Sequence, residues 1–128
     1  MRMRLELVPL PVADVDRAVA FYSGVVGFEV DHDVRPTEGM RIVQLTPPGS
    51  ACSVVLGTGM GLDPADGVVR NLHLVVDDLA GARAELVSRG LDISEVHDMG
   101  GVLYAYFADP DGNSWALQQI GADARPPA

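Results

Sequence analysis

The stretch Leu72-His73-Leu74-Val75-Val76-Asp77-Asp78-Leu79 decides how this chain folds. Side chains on a strand alternate with period two, so Leu72, Leu74 and Val76 share one face while Asn71, His73 and Val75 share the other. A different period follows. Leu79, Ala82 and Leu86 recur at helical spacing behind Asp78, whose carboxylate suits an N-cap, and Gly90 ends the segment. The same step stands 64 residues earlier, at Asp14. Leu5 to Val12 alternates, with Val8, Leu10 and Val12 on one face and Leu7, Pro9 and Pro11 on the other. Asp14 then caps a helix with the buried stripe Val15, Ala18, Val19 and Tyr22, closed by Gly24 and Gly27.

Three more strand candidates follow each helix. They are Phe28 to Val34, Arg41 to Thr46 and Cys52 to Gly57 in the first half, and Leu91 to His97, Leu103 to Ala108 and Ser114 to Ile120 in the second. The last two of each half flank a turn, Pro47-Pro48-Gly49-Ser50 or Asp109-Pro110-Asp111-Gly112-Asn113. The order is βαβββ twice, which predicts an α+β domain of two tandem modules, 5–57 and 69–120. Residues 58–68, with Gly59, Gly61, Pro64 and Gly67, read as a linker, and 121–128 as a frayed tail. One helix covers only one face of each twisted sheet. The other faces, side by side, would line a curved trough, which is a ligand site unless something fills it.

Composition narrows the function. The 128 residues carry a formal charge of −9 and are 48% hydrophobic, which describes one soluble domain with a sizeable core. Nucleic-acid binding needs clustered Lys and Arg, whereas the nine here are scattered among 18 acids, so no nucleic-acid partner is expected. The charge itself speaks first to solubility, though it also suits a cationic small ligand. No membrane partner is expected, because the best apolar stretch, Gly24 to Val30, falls far short of the roughly 20 residues a spanning helix needs. Cys52 is the single cysteine and excludes a disulfide framework or zinc ribbon. The opening Met1-Arg2-Met3-Arg4 leads into a strand instead of an apolar leader, so the expected location is the cytoplasm.

The run Val8-Pro9-Leu10-Pro11-Val12-Ala13-Asp14-Val15-Asp16-Arg17-Ala18-Val19-Ala20-Phe21-Tyr22, ending at Gly27-Phe28, resembles the opening of the vicinal oxygen chelate superfamily. This is the glyoxalase, bleomycin-resistance and extradiol-dioxygenase group. Leu72 to Leu79 resembles its repeat of the strand-to-helix step, and Tyr106-Phe107-Ala108-Asp109-Pro110-Asp111-Gly112-Asn113 followed by a strand resembles its most recognisable signature. The resemblance spans Leu5 to Ile120 and implies a curved mixed sheet of two βαβββ modules around a trough. It also implies metal ligands, usually His or Glu, at four positions that here carry Leu7, Asn71, Val55 (or Val54, one register away) and Ala116. Leu, Val and Ala have no lone pair to offer, and Asn is a poor ligand beside imidazole and carboxylate. No metal and no other cofactor is therefore expected. A displaced site would need His73 together with Tyr106 or Gln118, neither of them a common ligand.

Alternation places Leu7, Pro9, Pro11, Asn71, His73, Val75, Tyr104, Tyr106, Ser114, Ala116 and Gln118 on the trough face. From these, with Val55, come the expected ligand-binding residues: Leu7, Pro9, Val55, Asn71, His73, Tyr104, Tyr106, Ala116 and Gln118. His73 is the sharpest chemical candidate, since imidazole titrates near neutrality; its plain alternative is a histidine satisfied within the sheet. Tyr104 and Tyr106 offer stacking or hydroxyl bonds, against simple packing. Trp115 faces the other way and is expected in the core. Asp109 and Asp111 are expected to bond their own turn backbone, Cys52 to be inert, His32 and His97 to border loops, and Arg41 and Gln44 to flank the trough.

The expected function is metal-independent binding of a small apolar or aromatic organic molecule in the trough, as the resemblance to bleomycin-resistance proteins implies. That resemblance further implies a homodimer with the troughs near the subunit interface. The alternative is a glyoxalase-like enzyme, a lyase, isomerase or dioxygenase. One form would work without a metal, by acid/base chemistry at His73 with Tyr106 or Tyr104, such as isomerisation or ring closure; the other is a metal lyase or dioxygenase of the glyoxalase kind. A dimeric scaffold with a filled trough is the third possibility.

Overall fold

The computed structural model describes residues 1–121, so the tail expected over 121–128 lies outside the described residues except for Gly121. The chain divides into two compact units. One is Met1–Val69 with Pro110–Gly112, and the other is Arg70–Asp109 with the chain from Asn113 onward.

The first unit contains β1 (Leu7–Pro9), α1 (Val15–Val19), β2 (Glu29–Val34), β3 (Arg41–Thr46) and β4 (Ser53–Thr58), in the sheet order β1-β4-β3-β2. β1 runs parallel to β4 and the other neighbours are antiparallel. The strand expected over Leu5 to Val12 is cut to three residues. Leu10 still donates to the Val55 carbonyl at 2.8 Å, but Pro9 and Pro11 have no N–H, so only an edge strand tolerates this sequence and the ladder stops there. α1 starts as expected, with Asp14 Oδ1 accepting from the Arg17 N–H at 3.1 Å.

From Ala20 to Val26 that helix widens to π-type bonding, which the 3.6-residue period did not predict. Gly24, Val25 and Val26 are weak α formers, so the wider ring costs little there. Tyr22, fully buried, packs on Phe28 with ring centroids 5.5 Å apart. Val43, Leu45, Val54 and Leu56 form the buried sheet face, together with Leu10, Val15 and Ala18. A single 3-10 turn, Pro64–Asp66, lies within the expected linker.

The second unit contains β5 (Leu72–Val75), α2 (Leu79–Ser88), β6 (His97–Met99), β7 (Val102–Ala108) and β8 (Ser114–Gln119), in the order β5-β8-β7-β6. It repeats the first topology, so the α+β class and the doubled βαβββ order hold. Asp78 caps α2 through the Gly81 N–H, and Gln119 Oε1 accepts the Leu79 N–H at 2.8 Å. Trp115 is buried and stacks on Phe107, centroids 6.3 Å apart, so it is core as expected.

Two sequence expectations fail in this unit. Asn71 does not extend β5: its φ is +60°, a left-handed conformation that Asn tolerates, and its N–H donates to Ser114 Oγ at 2.8 Å. Leu91 to His97 is not a strand either. Leu91 and Ile93 are buried, and Ser94 N–H donates to the Tyr106 carbonyl at 2.8 Å, but the returning bond from Tyr106 N–H goes to the Ser94 hydroxyl, also at 2.8 Å. A side chain has taken the acceptor role of the backbone, and regular pairing begins only at His97.

Candidate functional site

The helix-free face of the second unit's sheet is set by its register. His73 lies opposite Ala116, which lies opposite Tyr106; Val75 lies opposite Gln118, which lies opposite Tyr104, which lies opposite His97. Two rows of side chains result. Ala116, small and fully buried, separates His73 from Tyr106, both of which are exposed.

The rings form a ladder. His73 meets Tyr104 edge-on, with centroids 5.9 Å apart and planes at 84°. Tyr104 and Tyr106, successive residues of one face of β7, are parallel within 5° at 6.2 Å. His97 continues the series against Tyr106 at 5.7 Å. Aromatic faces carry partial negative charge and their edges partial positive charge, so this arrangement presents both to a flat molecule. His73 Nδ1 lies 2.7 Å from Gln118 Oε1, which fixes the imidazole plane. Thus His73, Tyr104, Tyr106, Ala116 and Gln118 share one face, whereas Asn71 has turned out of the strand.

Leu7, Pro9 and Val55 belong to the first unit. Leu7 aligns with Ser53 and Pro9 with Val55, which lies opposite Gln44. On that face the sequence conceals a polar cluster. Thr46 Oγ1 reaches both Asp31 Oδ2 and, at 2.6 Å, Ser53 Oγ, while Gln44 Nε2 lies 3.4 Å from the same Asp31 oxygen. Asp31 sits where the β2–β3 register slips between Val30 and His32, so simple alternation could not place it. Arg41, expected to flank the same region, points to the other side. Its guanidinium grips Asp33 through two bonds of 2.9 and 2.8 Å and Asp16 through one of 2.6 Å, being of opposite strand parity to Gln44.

His97, expected at a loop border, is instead paired in β6. The signal was present in Met99-Gly100-Gly101-Val102, where both glycines have positive φ (69° and 91°) and Met99 pairs with Val102. That is a two-residue hairpin, and it sets His97 opposite Tyr104.

Asp109 behaves as expected, accepting bonds from the Asn113 backbone and side chain. Asp111 does not, for its Oδ1 accepts from Ala13 N–H at 3.1 Å and Arg17 Nη2 at 3.2 Å, joining Pro110–Gly112 to the first unit. Leu7, Val55 and Ala116 supply no donor atom, and among the described residues no three His, Cys, Asp or Glu side chains come together as a metal would require. These residues do not fit the divalent metal that the family resemblance implies.

A family model described as the glyoxalase/bleomycin resistance protein/dioxygenase superfamily matches residues 4–117, and the chain belongs to that superfamily. In structure it is similar to TnmS3, an antibiotic binding protein from Streptomyces sp. CB03234, with 31% identity and a TM-score of 0.81 over 94% of this chain and 98% of that one. It is also similar to a glyoxalase/bleomycin resistance protein from the same source, at 32% identity and a TM-score of 0.76, covering 91% of this chain and all (100%) of that one. A Bacillus subtilis (strain 168) protein, YwbC, itself uncharacterized, is 26% identical over 121 residues, 88% of this chain and 94% of its own. The superfamily holds both binding proteins and enzymes, and membership alone does not choose between them. No helix among the described residues is long and apolar enough to cross a membrane.

Proposed function

We propose that this protein binds a small, largely apolar or aromatic organic molecule without a metal, on the sheet face that carries His73, Tyr104, Tyr106, Ala116 and Gln118. The observation that carries this reading is the parallel Tyr104 and Tyr106 pair, with Tyr106 39% exposed and the His73 ring edge-on to Tyr104. Exposed rings held in register by a paired strand are pre-ordered, so a flat ligand stacks on them at little further entropic cost. The likeness to an antibiotic binding protein supports the same reading. Leu7, Pro9 and Val55 are proposed as apolar ligand contacts on the first unit's own sheet, and Asn71 as a polar one of the second unit.

The acid/base alternative draws support from the oriented His73 imidazole. On this geometry its aromatic partner is Tyr104, with Tyr106 one ring further along. A cytoplasmic homodimer belongs to the binding reading, supported by the family resemblance.

Ligand-detected NMR against a panel of aromatic natural products and drugs tests the proposal. Tyr106→Ala should weaken any hit about tenfold, the effect of losing one stacked ring worth roughly 1.5 kcal/mol. Hits indifferent to both Tyr104→Ala and Tyr106→Ala, or an empty panel, would refute it. Turnover that survives Tyr106→Ala and disappears in His73→Ala would favour the enzyme.

A further inference from the structure

Gln118 fixes more than the plane of the His73 ring. The atom it presents to Nδ1 is its amide oxygen, 2.7 Å away, and an amide oxygen only accepts hydrogen bonds. A neutral imidazole that bonds this acceptor carries its proton on Nδ1 and keeps a lone pair on Nε2. Among the described residues nothing donates to Nε2, and His73 is exposed. Gln118 is also uncharged. A carboxylate in its place would stabilise the imidazolium and turn Nε2 into a donor, whereas an amide gives no such Coulombic support. The edge of the aromatic ladder thus carries a hydrogen-bond acceptor whose identity is set by a residue on the neighbouring strand.

We propose that Gln118 is a positioning residue that makes this face selective for planar aromatic molecules bearing a hydrogen-bond donor, a phenolic hydroxyl or a ring N–H. This inference rests on the binding reading above and adds the ligand class to it. An ether or a carboxylate at the same place would set a lone pair against the Nε2 lone pair.

Two measurements test it on the intact protein. The first is the tautomer of His73, read from its imidazole nitrogen chemical shifts by long-range proton–nitrogen NMR without any ligand; the expected form is Nδ1–H. The second compares 2-naphthol, 2-methoxynaphthalene and 2-naphthoate. The naphthol should bind about five- to tenfold more tightly than the ether, the effect of one hydrogen bond, and the naphthoate more weakly than the naphthol. In Gln118→Leu the nitrogen spectrum should move toward the Nε2–H form and the naphthol preference should fall toward one. Gln118→Glu should keep the proton on Nδ1 but favour the imidazolium, moving the Nε2 shift toward its protonated value without restoring the naphthol preference.

An Nε2–H tautomer in the unaltered protein overturns the proposal whatever the variants do. Equal binding of naphthol and ether, both weakened by Tyr106→Ala, also overturns it and leaves the aromatic platform standing. Binding of none of the three probes overturns both.

Discussion

Asp109 and Asn113 close the turn between β7 and β8, and removing the Asp109 carboxylate should be among the more damaging single changes to this protein. Asp109 is 6% exposed and Asn113 fully buried. Asp109 Oδ1 accepts the Asn113 N–H at 3.0 Å and Oδ2 accepts its side-chain Nδ2 at 2.8 Å; the backbone bond from Asp109 N–H to the Asn113 carbonyl, 2.9 Å, closes the ring. Asp109→Ala keeps the backbone bond and deletes the acceptors of two buried donors. Hydrogen bonds to a charged partner contribute about 1.5–3 kcal/mol each. Because these two share one side chain and do not add fully, the expected loss is about 3 kcal/mol.

For a domain of this size that is a drop of about 10 °C in Tm. Urea unfolding followed by Trp115, the only tryptophan, reports it directly, because Trp115 lies in the core just beyond the turn. The midpoint should fall with an unchanged slope. Asp109→Asn, which keeps one acceptor oxygen, should cost about half as much. A loss below about 1 kcal/mol for the alanine variant would refute this account of the turn. So would a wild-type Tm that rises on adding calcium, since the aspartates would then be ion ligands and not backbone acceptors.

Two further outcomes follow from the geometry. The bidentate Arg41 guanidinium holds the Asp33 carboxyl below its usual value of 3.8, so this contribution to stability is complete above that pH and is lost as pH falls through the lower folded-state value. Asp33 is 40% exposed, which screens the pair to below about 1 kcal/mol. The stability gap between wild type and Asp33→Asn should therefore be small at pH 7, shrink in 1 M salt and close as pH falls through the lowered folded-state value; a gap that widens in acid would show the sign to be wrong. At the β6–β7 hairpin, Gly101 has φ 91° and its N–H is held by Asp98 Oδ1 at 2.8 Å. Gly101→Ala should cost about 1–2 kcal/mol and speed amide exchange along β6, whereas Gly100→Asn, a residue tolerant of such φ, should cost less than about 0.5 kcal/mol. Equal effects would contradict the turn assignment.

Alternation was a faithful guide where a strand has partners on both sides. β7 and β8 are the two inner strands of their sheet, and their sequence parity sets Tyr104, Tyr106, Ala116 and Gln118 on one face with Trp115 on the other. At the edges and ends it lost its premise, because a period of two assumes that the backbone alone makes the ladder. At Asn71 the chain turns left-handed and bonds the Ser114 hydroxyl; at Ser94 a hydroxyl stands in for a carbonyl; at Asp31 an extra residue shifts the register. In each case a polar side chain, or the bulge that carries one, interrupts the pairing, and such substitutions have no periodic trace.

The Gly100-Gly101 pair is the exception. Two glycines between Met99 and Val102 are sufficient to demand a tight hairpin, and from that hairpin His97 could have been set opposite Tyr104 by counting. The His73 and Gln118 bond could not be reached in this way. It runs diagonally across the parallel pair β5 and β8, between residues 45 apart in sequence, and parallel strands have no turn to fix their register. That register is held by bonds made only in the folded sheet: Asn71 N–H to Ser114 Oγ, Val76 N–H to the Gln118 carbonyl and Leu79 N–H to Gln119 Oε1. Sequence parity could name Gln118 as a neighbour of the ligand face, but its hold on the His73 proton exists only in the assembled sheet.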